Sequence, residues 1–226
     1  MNPIKLDNPA WYSLVEIHRH LAVNYNGIKF YHPDYCPFGG FLKNSKTSEA
    51  ISAYSTLTNN CFVVGDKPDF DHTVILKKEL ICDQMVLQSP IDLHITETIT
   101  ALKTDQQKSD LFNLVQLVQP GYFKTKTSDL GNYYGIYKDE QLIATTGERM
   151  KMYEYTEVSA VVTHPQHLGK GYAKQLIKHA TDAIFAEGKT PYLHVAETNH
   201  HAIKLYEKLN FITRRKMSLW NFVPAY

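Results

Sequence analysis

Residues 161–176 read VVTHPQHLGKGYAKQL, with Gly169 and Gly171 one residue apart ahead of an amphipathic run. Glycines so placed let backbone N–H groups approach an anion, and a following helix N-terminus adds the positive end of its dipole. Lys170 and Lys174 bring two more positive charges alongside. The chemistry on offer is the cradling of a pyrophosphate. Two named phosphate loops are excluded. The dinucleotide fingerprint needs a glycine at 174, where Lys174 stands, and the phosphate-loop pattern needs Ser or Thr where Gly171 stands.

Other chemistry-bearing residues offer less. The close histidine pairs His164/His167 and His200/His201 have no carboxylate or further imidazole at ligand spacing, so no metal is expected. Cys36, Cys61 and Cys82 lie far apart with no C-x-x-C. They read as reduced, buried thiols in the first half, away from the glycine loop.

A net charge of +1 gives no global field to recruit nucleic acid or an anionic membrane, and "RRK" at 214–216 is too short to do so locally. The first twenty residues lack the basic start and apolar run of a signal peptide, and no stretch has the apolar length of a membrane span. A cytoplasmic protein is expected. Apolar content of 43% over 226 residues supports one large domain or two small ones.

The turn signal "QSPIDL" at 88–93 marks a boundary between two zones. Residues 1–90 read as a smaller α+β domain: a helix from Trp11 to about Leu21, an aromatic stretch, a helix in "SEAISAYSTL", then strands in "CFVVGD" and "TVILKKELICDQMVLQ". Residues 91–226 read as strand–helix–strand–strand–strand–helix–strand–helix–strand, an α/β order. Its first helix is capped by Thr104 or Asp105, and its first strand pair turns at "KDEQ". The next helix turns Ala173, Leu176, Ile177, Ala180 and Ile184 to one face; the last turns Ala202, Leu205, Tyr206 and Leu209 inward.

Gln166-His167-Leu168-Gly169-Lys170-Gly171 fits Q/R-x-x-G-x-G/A, and the strand before it, the helix after it and "NHHAIKLYEKLNF" follow in order. In these residues the chain resembles the GNAT superfamily of acyl-CoA-dependent N-acyltransferases over about residues 95–220. The stretch "GYF…LGNYYGIYKDEQLIATTGERM" is similar to the branch related to glycine N-acyltransferases. The resemblance implies a mixed-sheet α/β acyltransferase domain after 1–90, with the first zone a degenerate copy of that fold. Two residues depart from the pattern: Leu168 stands where many members have arginine, and Asn210 where the glycine ending the last helix is usual. Asparagine tolerates a left-handed C-cap.

The same resemblance implies direct transfer of an acyl group, usually acetyl, from acetyl-CoA or another acyl-CoA to an amine. The cradle would comprise Gln166, His167, Leu168, Gly169, Lys170, Gly171, Tyr172, Ala173 and Lys174. The backbone at Val161, Val162 and Thr163 would pair with the pantetheine arm, with Asn199 as a further contact or a plain N-cap. Glu157 matches the position of a general base, with Glu148 as rival; either reads also as a solvated or Arg-paired strand residue, Glu148 standing next to Arg149. Tyr206 matches the tyrosine that protonates the leaving thiolate, and its spacing suits a core tyrosine as well. The acceptor would be a small-molecule amine or amino acid ahead of a protein amine, selected by "GYFKTKTSDLGNYY" and by the aromatic first half, whose tyrosines read as building the domain interface ahead of lining an acceptor pocket. The assembly is a monomer or homodimer. The competing reading is a non-catalytic acyl-CoA-binding or regulatory protein that keeps the cradle without turnover.

Overall fold

The computed structural model describes residues 3–42 and 46–225. In chain order the elements are α1 (Pro9–Val15), β1 (Ala22–Tyr25), β2 (Ile28–Tyr31), β3 (Phe38–Phe41), α2 (Thr47–Ser55), β4 (Cys61–Val64), β5 (Val74–Val86), β6 (Thr100–Ala101), α3 (Asp105–Val118), β7 (Tyr133–Lys138), β8 (Gln141–Lys151), β9 (Tyr155–Thr163), α4 (Tyr172–Ala186), β10 (Thr190–Ala196), α5 (His200–Lys208) and β11 (Ile212–Pro224). The eleven strands form one mixed sheet in the order β1-β2-β3-β4-β11-β5-β10-β9-β8-β7-β6. From β6 onward the order of elements is the one read from the sequence.

Local chemistry sets the ends of these elements. Thr104 caps α3 and Gln107 reaches back to the cap residue, a complete capping box. The β7–β8 turn places both Asp139 and Glu140 at positive φ, as a two-residue hairpin with the strands' own twist requires. Helix α1 ends at Val15 rather than near Leu21. Beyond it, Glu16 accepts from Tyr153 N and pairs with Lys5, while His18 turns inward to Ser13, Tyr31 and Leu130 O. These tertiary contacts replace the helical bonds a continued α1 would have made.

The long strand β5, from the first ninety residues, lies between β10 and β11 and is antiparallel to both. One face of this region packs with the N-terminal segment: Leu6, Leu14, Tyr31, Phe38, Cys82, Tyr192 and Leu219 share a core. The other face packs under α4 and α5 through Ile177, Ile184, Leu193, Val195 and Tyr206. Gln175, buried on α4, accepts from the backbone N–H groups of Thr96 and Glu97 and so ties the segment before β6 to that helix. No helix among the described residues is long and apolar enough to cross a membrane.

Candidate active site

Strands β9 and β10 run parallel but pair only through residues 155–157 and 190–192. Beyond Glu157 and Tyr192 they part. A bulge between Ser159 and Val162 adds a residue to β9 opposite β8, and Ala160 within it has a φ of 50°. Bulges bend a strand and re-aim its groups, here beside the parting strands. A cavity of about 220 Å³ opens at this place. Val158, Val161, Ala202 and Tyr206 line it from the α5 side, and Phe38, Cys82, Tyr122, Arg149 and His194 from the other.

The glycine loop leads on from β9. Gly169 and Gly171 both have φ of 77°, and a Cβ at Gly169 would meet nothing within 4 Å. Gly171 is the N-cap of α4 and no side chain caps that helix, which leaves the N–H groups of the first turn open. Leu168, Lys170 and Lys174 are exposed around it, and Gln166 as well. Tyr172 of the expected cradle and Val162 of the expected pantetheine-pairing backbone have inward side chains: Tyr172 packs with Ile136 and Leu176, and Val162 with Leu114 and Leu142. Val161 lines the cavity; Thr163, His167 and Ala173 are half-buried.

Glu157 is fully buried and lies behind the cavity wall. Its carboxylate accepts from Arg149 Nε (2.7 Å) and Nη2 (2.8 Å), and from Met150 N (3.4 Å). A register shift in β8 between Glu148 and Lys151 sets Arg149 opposite it. Burial pushes a carboxyl pKa up, but the Arg149 charge and the bonds from Arg149 and His194 outweigh that and hold Glu157 at about 2.

His194 stands between Glu157 and Gln84. Gln84 Oε1 accepts from Arg214, and its Nε2 donates to Leu6 O (2.7 Å), so the amide's orientation is fixed. Its second N–H therefore points at His194 Nε2 (3.1 Å), and His194 Nδ1–H donates to Glu157 (2.8 Å). The tautomer is assigned from these partners. Both imidazole nitrogens are occupied.

Glu148 is also fully buried but does not line the cavity. It holds the chain entering β7, accepting from Asn132 N (3.0 Å) and Lys151 Nζ (2.6 Å). Tyr206 and Asn199 do line the cavity. Asn199 caps α5 by accepting from Ala202 N. Helix α5 ends with Phe211 N bonded to Tyr206 O and Asn210 N to Glu207 O, and Asn210 has a φ of 65°. This is the Schellman arrangement, and its usual apolar contact is the Tyr206–Phe211 ring pair, 5.8 Å between centroids. The departure at Asn210 is thus accommodated, and it fixes the Tyr206 ring. Burial pushes that phenol's pKa up, so the hydroxyl keeps its proton at neutral pH.

Sequence reasoning missed Arg149, His194, Phe38, Leu80 and Leu219, all cavity-lining. It placed Cys82 away from the site, and this is corrected: the insertion of β5 beside β10 brings Cys82 to the wall. Burial pushes its thiol up to about 12, so it stays protonated and unreactive. A lone histidine inside the apolar strand "YLHVA" was the available signal for His194, since a buried polar residue is the informative exception. Tyr122 and Phe123 do come from the "GYF" stretch singled out as acceptor-selecting. Among the described residues, no three His, Cys, Asp or Glu side chains lie close enough to hold a metal ion.

Residues 133–220 match the family described as FR47-like protein. A 54-residue stretch is 41% identical to the spermidine N(1)-acetyltransferase of Vibrio cholerae, covering 23% of this chain but only 31% of that relative's length. Among solved structures, a GNAT-family protein from Novosphingobium aromaticivorans assigned as an acetyltransferase superposes with a TM-score of 0.87. It is 28% identical, over 98% of this chain and 99% of that one. A GCN5-related N-acetyltransferase-like protein from Streptococcus suis gives 0.65 at 13% identity over 92% of each chain, a likeness of fold.

Proposed function

We propose that the chain, which resembles GNAT acetyltransferases in its fold and matches the FR47-like family over residues 133–220, transfers an acetyl group from acetyl-CoA to an amine. The observation carrying this reading is the cavity at the parting of β9 and β10, walled by Tyr206 and Val161, with β9 leading on to the uncapped start of α4. The open N–H groups at residues 169–172, with Lys170 and Lys174, bind the pyrophosphate. The unpaired edge of β9 hydrogen-bonds the amide-bearing arm, and an N–H of the bulged segment receives the charge that develops on the thioester oxygen.

The amine nitrogen attacks the carbonyl carbon; the C–N bond forms and the C–S bond breaks. Tyr206 gives its proton to the departing sulfur and regains one from solvent. The amine sheds its own proton to water, since Glu157 and His194 are fully engaged with Arg149 and Gln84. Glu157 anchors Arg149 and His194 in this reading, and Glu148 anchors the loop before β7.

Calorimetric titration with acetyl-CoA, against adenosine diphosphate as control, tests the first part. Clear binding above the control is expected, followed by thiol release when an amine is supplied. A folded sample that binds neither would overturn the proposal.

A further inference from the structure

Among the described residues the cavity wall carries one formal charge, the Arg149 guanidinium; no described aspartate, glutamate or lysine lines it. Arg149 has five N–H donors in a planar fork. Two of them, on Nε and Nη2, are spent on Glu157, which lies behind the wall. Nη1 donates to no group among the described residues. The guanidinium rests on the Phe38 ring, 4.5 Å from its centroid, and Arg149 lines the cavity, so Nη1 and the second N–H of Nη2 are the donors it has left for a ligand there. Tyr122, Phe123, Leu80 and Leu219 line the same cavity.

We infer that the acceptor is an amine bearing a carboxylate and a bulky apolar or aromatic side chain, its carboxylate received by these remaining donors of Arg149. The inference rests on the acetyl-transfer reading above. A guanidinium edge matches a carboxylate with two parallel hydrogen bonds, which a single ammonium or amide does not reproduce. Glu157 neutralises Arg149 from behind, and the His194 N–H shares that anion. A zwitterionic acceptor supplies its own ammonium to offset the second carboxylate. A polyamine meets the opposite: a wall with no anion and one fixed cation. The size agrees, since about 220 Å³ is below the roughly 300–1,000 Å³ of pockets for drug-sized ligands.

The test uses the full chain with acetyl-CoA and four acceptors: L-phenylalanine, L-phenylalaninamide, glycine and spermidine. Binding of acetyl-CoA is measured first, and its absence would sink the acetyl-transfer reading itself. With binding intact, kcat/KM counted per unprotonated amine should be at least tenfold higher for phenylalanine than for its amide, mostly through KM, with glycine weaker and spermidine weakest. Equal or better use of the amide or of spermidine overturns the inference alone. Arg149→Lys should shrink the acid-over-amide ratio below threefold with acetyl-CoA affinity unchanged; an undiminished ratio in the folded variant overturns it too. A measurement free of any variant, or of turnover, is inhibition by N-acetyl-L-phenylalanine against its amide: the acid should bind at least tenfold more tightly, and parity counts against the inference.

Discussion

Arg149 grips Glu157 through two hydrogen bonds of 2.7 and 2.8 Å, with the carboxylate out of reach of the cavity and the guanidinium at its wall. In the acetyl-transfer reading the pair keeps Glu157 from taking the acceptor's proton. A carboxyl that the Arg149 charge holds well below the ordinary carboxylate range is a poor acceptor for the proton of an amine of pKa about 10. We therefore predict that the pH profile of kcat/KM rises with the acceptor's own amine. Two acceptors whose amines differ by two pKa units should show rising limbs displaced by about two pH units. A limb fixed at one pH for both would assign the proton to a protein group instead.

Gly171 sits at φ 77° at the start of α4, and Gly188 at φ 72° just beyond its end. A non-glycine residue in that region costs about 1–2 kcal/mol, so both Gly171→Val and Gly188→Val should lose stability by at least that amount. Only Gly171→Val should also weaken acetyl-CoA, at least tenfold by calorimetry. Equal affinity in the two variants would remove residue 171 from the pyrophosphate site.

Tyr206→Phe keeps the ring against Phe211 and removes a hydroxyl that makes no hydrogen bond among the described residues. Melting temperature and acetyl-CoA affinity should hardly move. At saturating acetyl-CoA the rate should fall by about tenfold or more, the low end of what general acids contribute or just under it. An unchanged rate would leave Tyr206 a packing residue.

His18 is buried with Ser13, Tyr31 and Leu130 O around it, and burial lowers its pKa to about 4 from the ordinary 6.5. The unfolded chain takes up the proton first as pH falls. The stability His18 confers is therefore whole above about pH 6.5 and drains away as pH drops toward 4, a loss of up to about 3 kcal/mol. Urea unfolding at pH 7, 5.5 and 4.5 should show that slope, and His18→Gln should flatten its part of it. A slope identical in the variant would place the acid sensitivity elsewhere.

The glycine loop and the alternating elements after residue 91 were legible because each is set by neighbours in sequence: glycine φ, capping boxes and helical spacing. Glu157 was legible as a candidate base or an Arg-paired strand residue, but the partner it takes was not. The pattern of a strand does not reveal a register shift in the next one, and it is that shift which puts Arg149 on the carboxylate. The acceptor side was hidden for a different reason. Cys82 and Leu80 reach the wall only because β5 pairs with strands more than a hundred residues later, and no local signal encodes such a partner. The aromatic first half divides accordingly, Tyr31 and Tyr54 serving the core and Phe38 the cavity.

The position of β5 also governs how the chain is made. Its only strand neighbours are β10 and β11. During synthesis at about 5–20 residues per second, the strand waits roughly 5–20 seconds after emerging before β10 exists to meet it. Through that interval both its edges are unsatisfied, in a segment rich in Val, Ile and Leu. Lys77, Lys78 and Glu79 interrupt its centre with consecutive charges that stay exposed in the finished sheet. Such charges discourage pairing with a stranger. The nascent protein thus carries its own guard against premature partners, written into the strand that must wait longest.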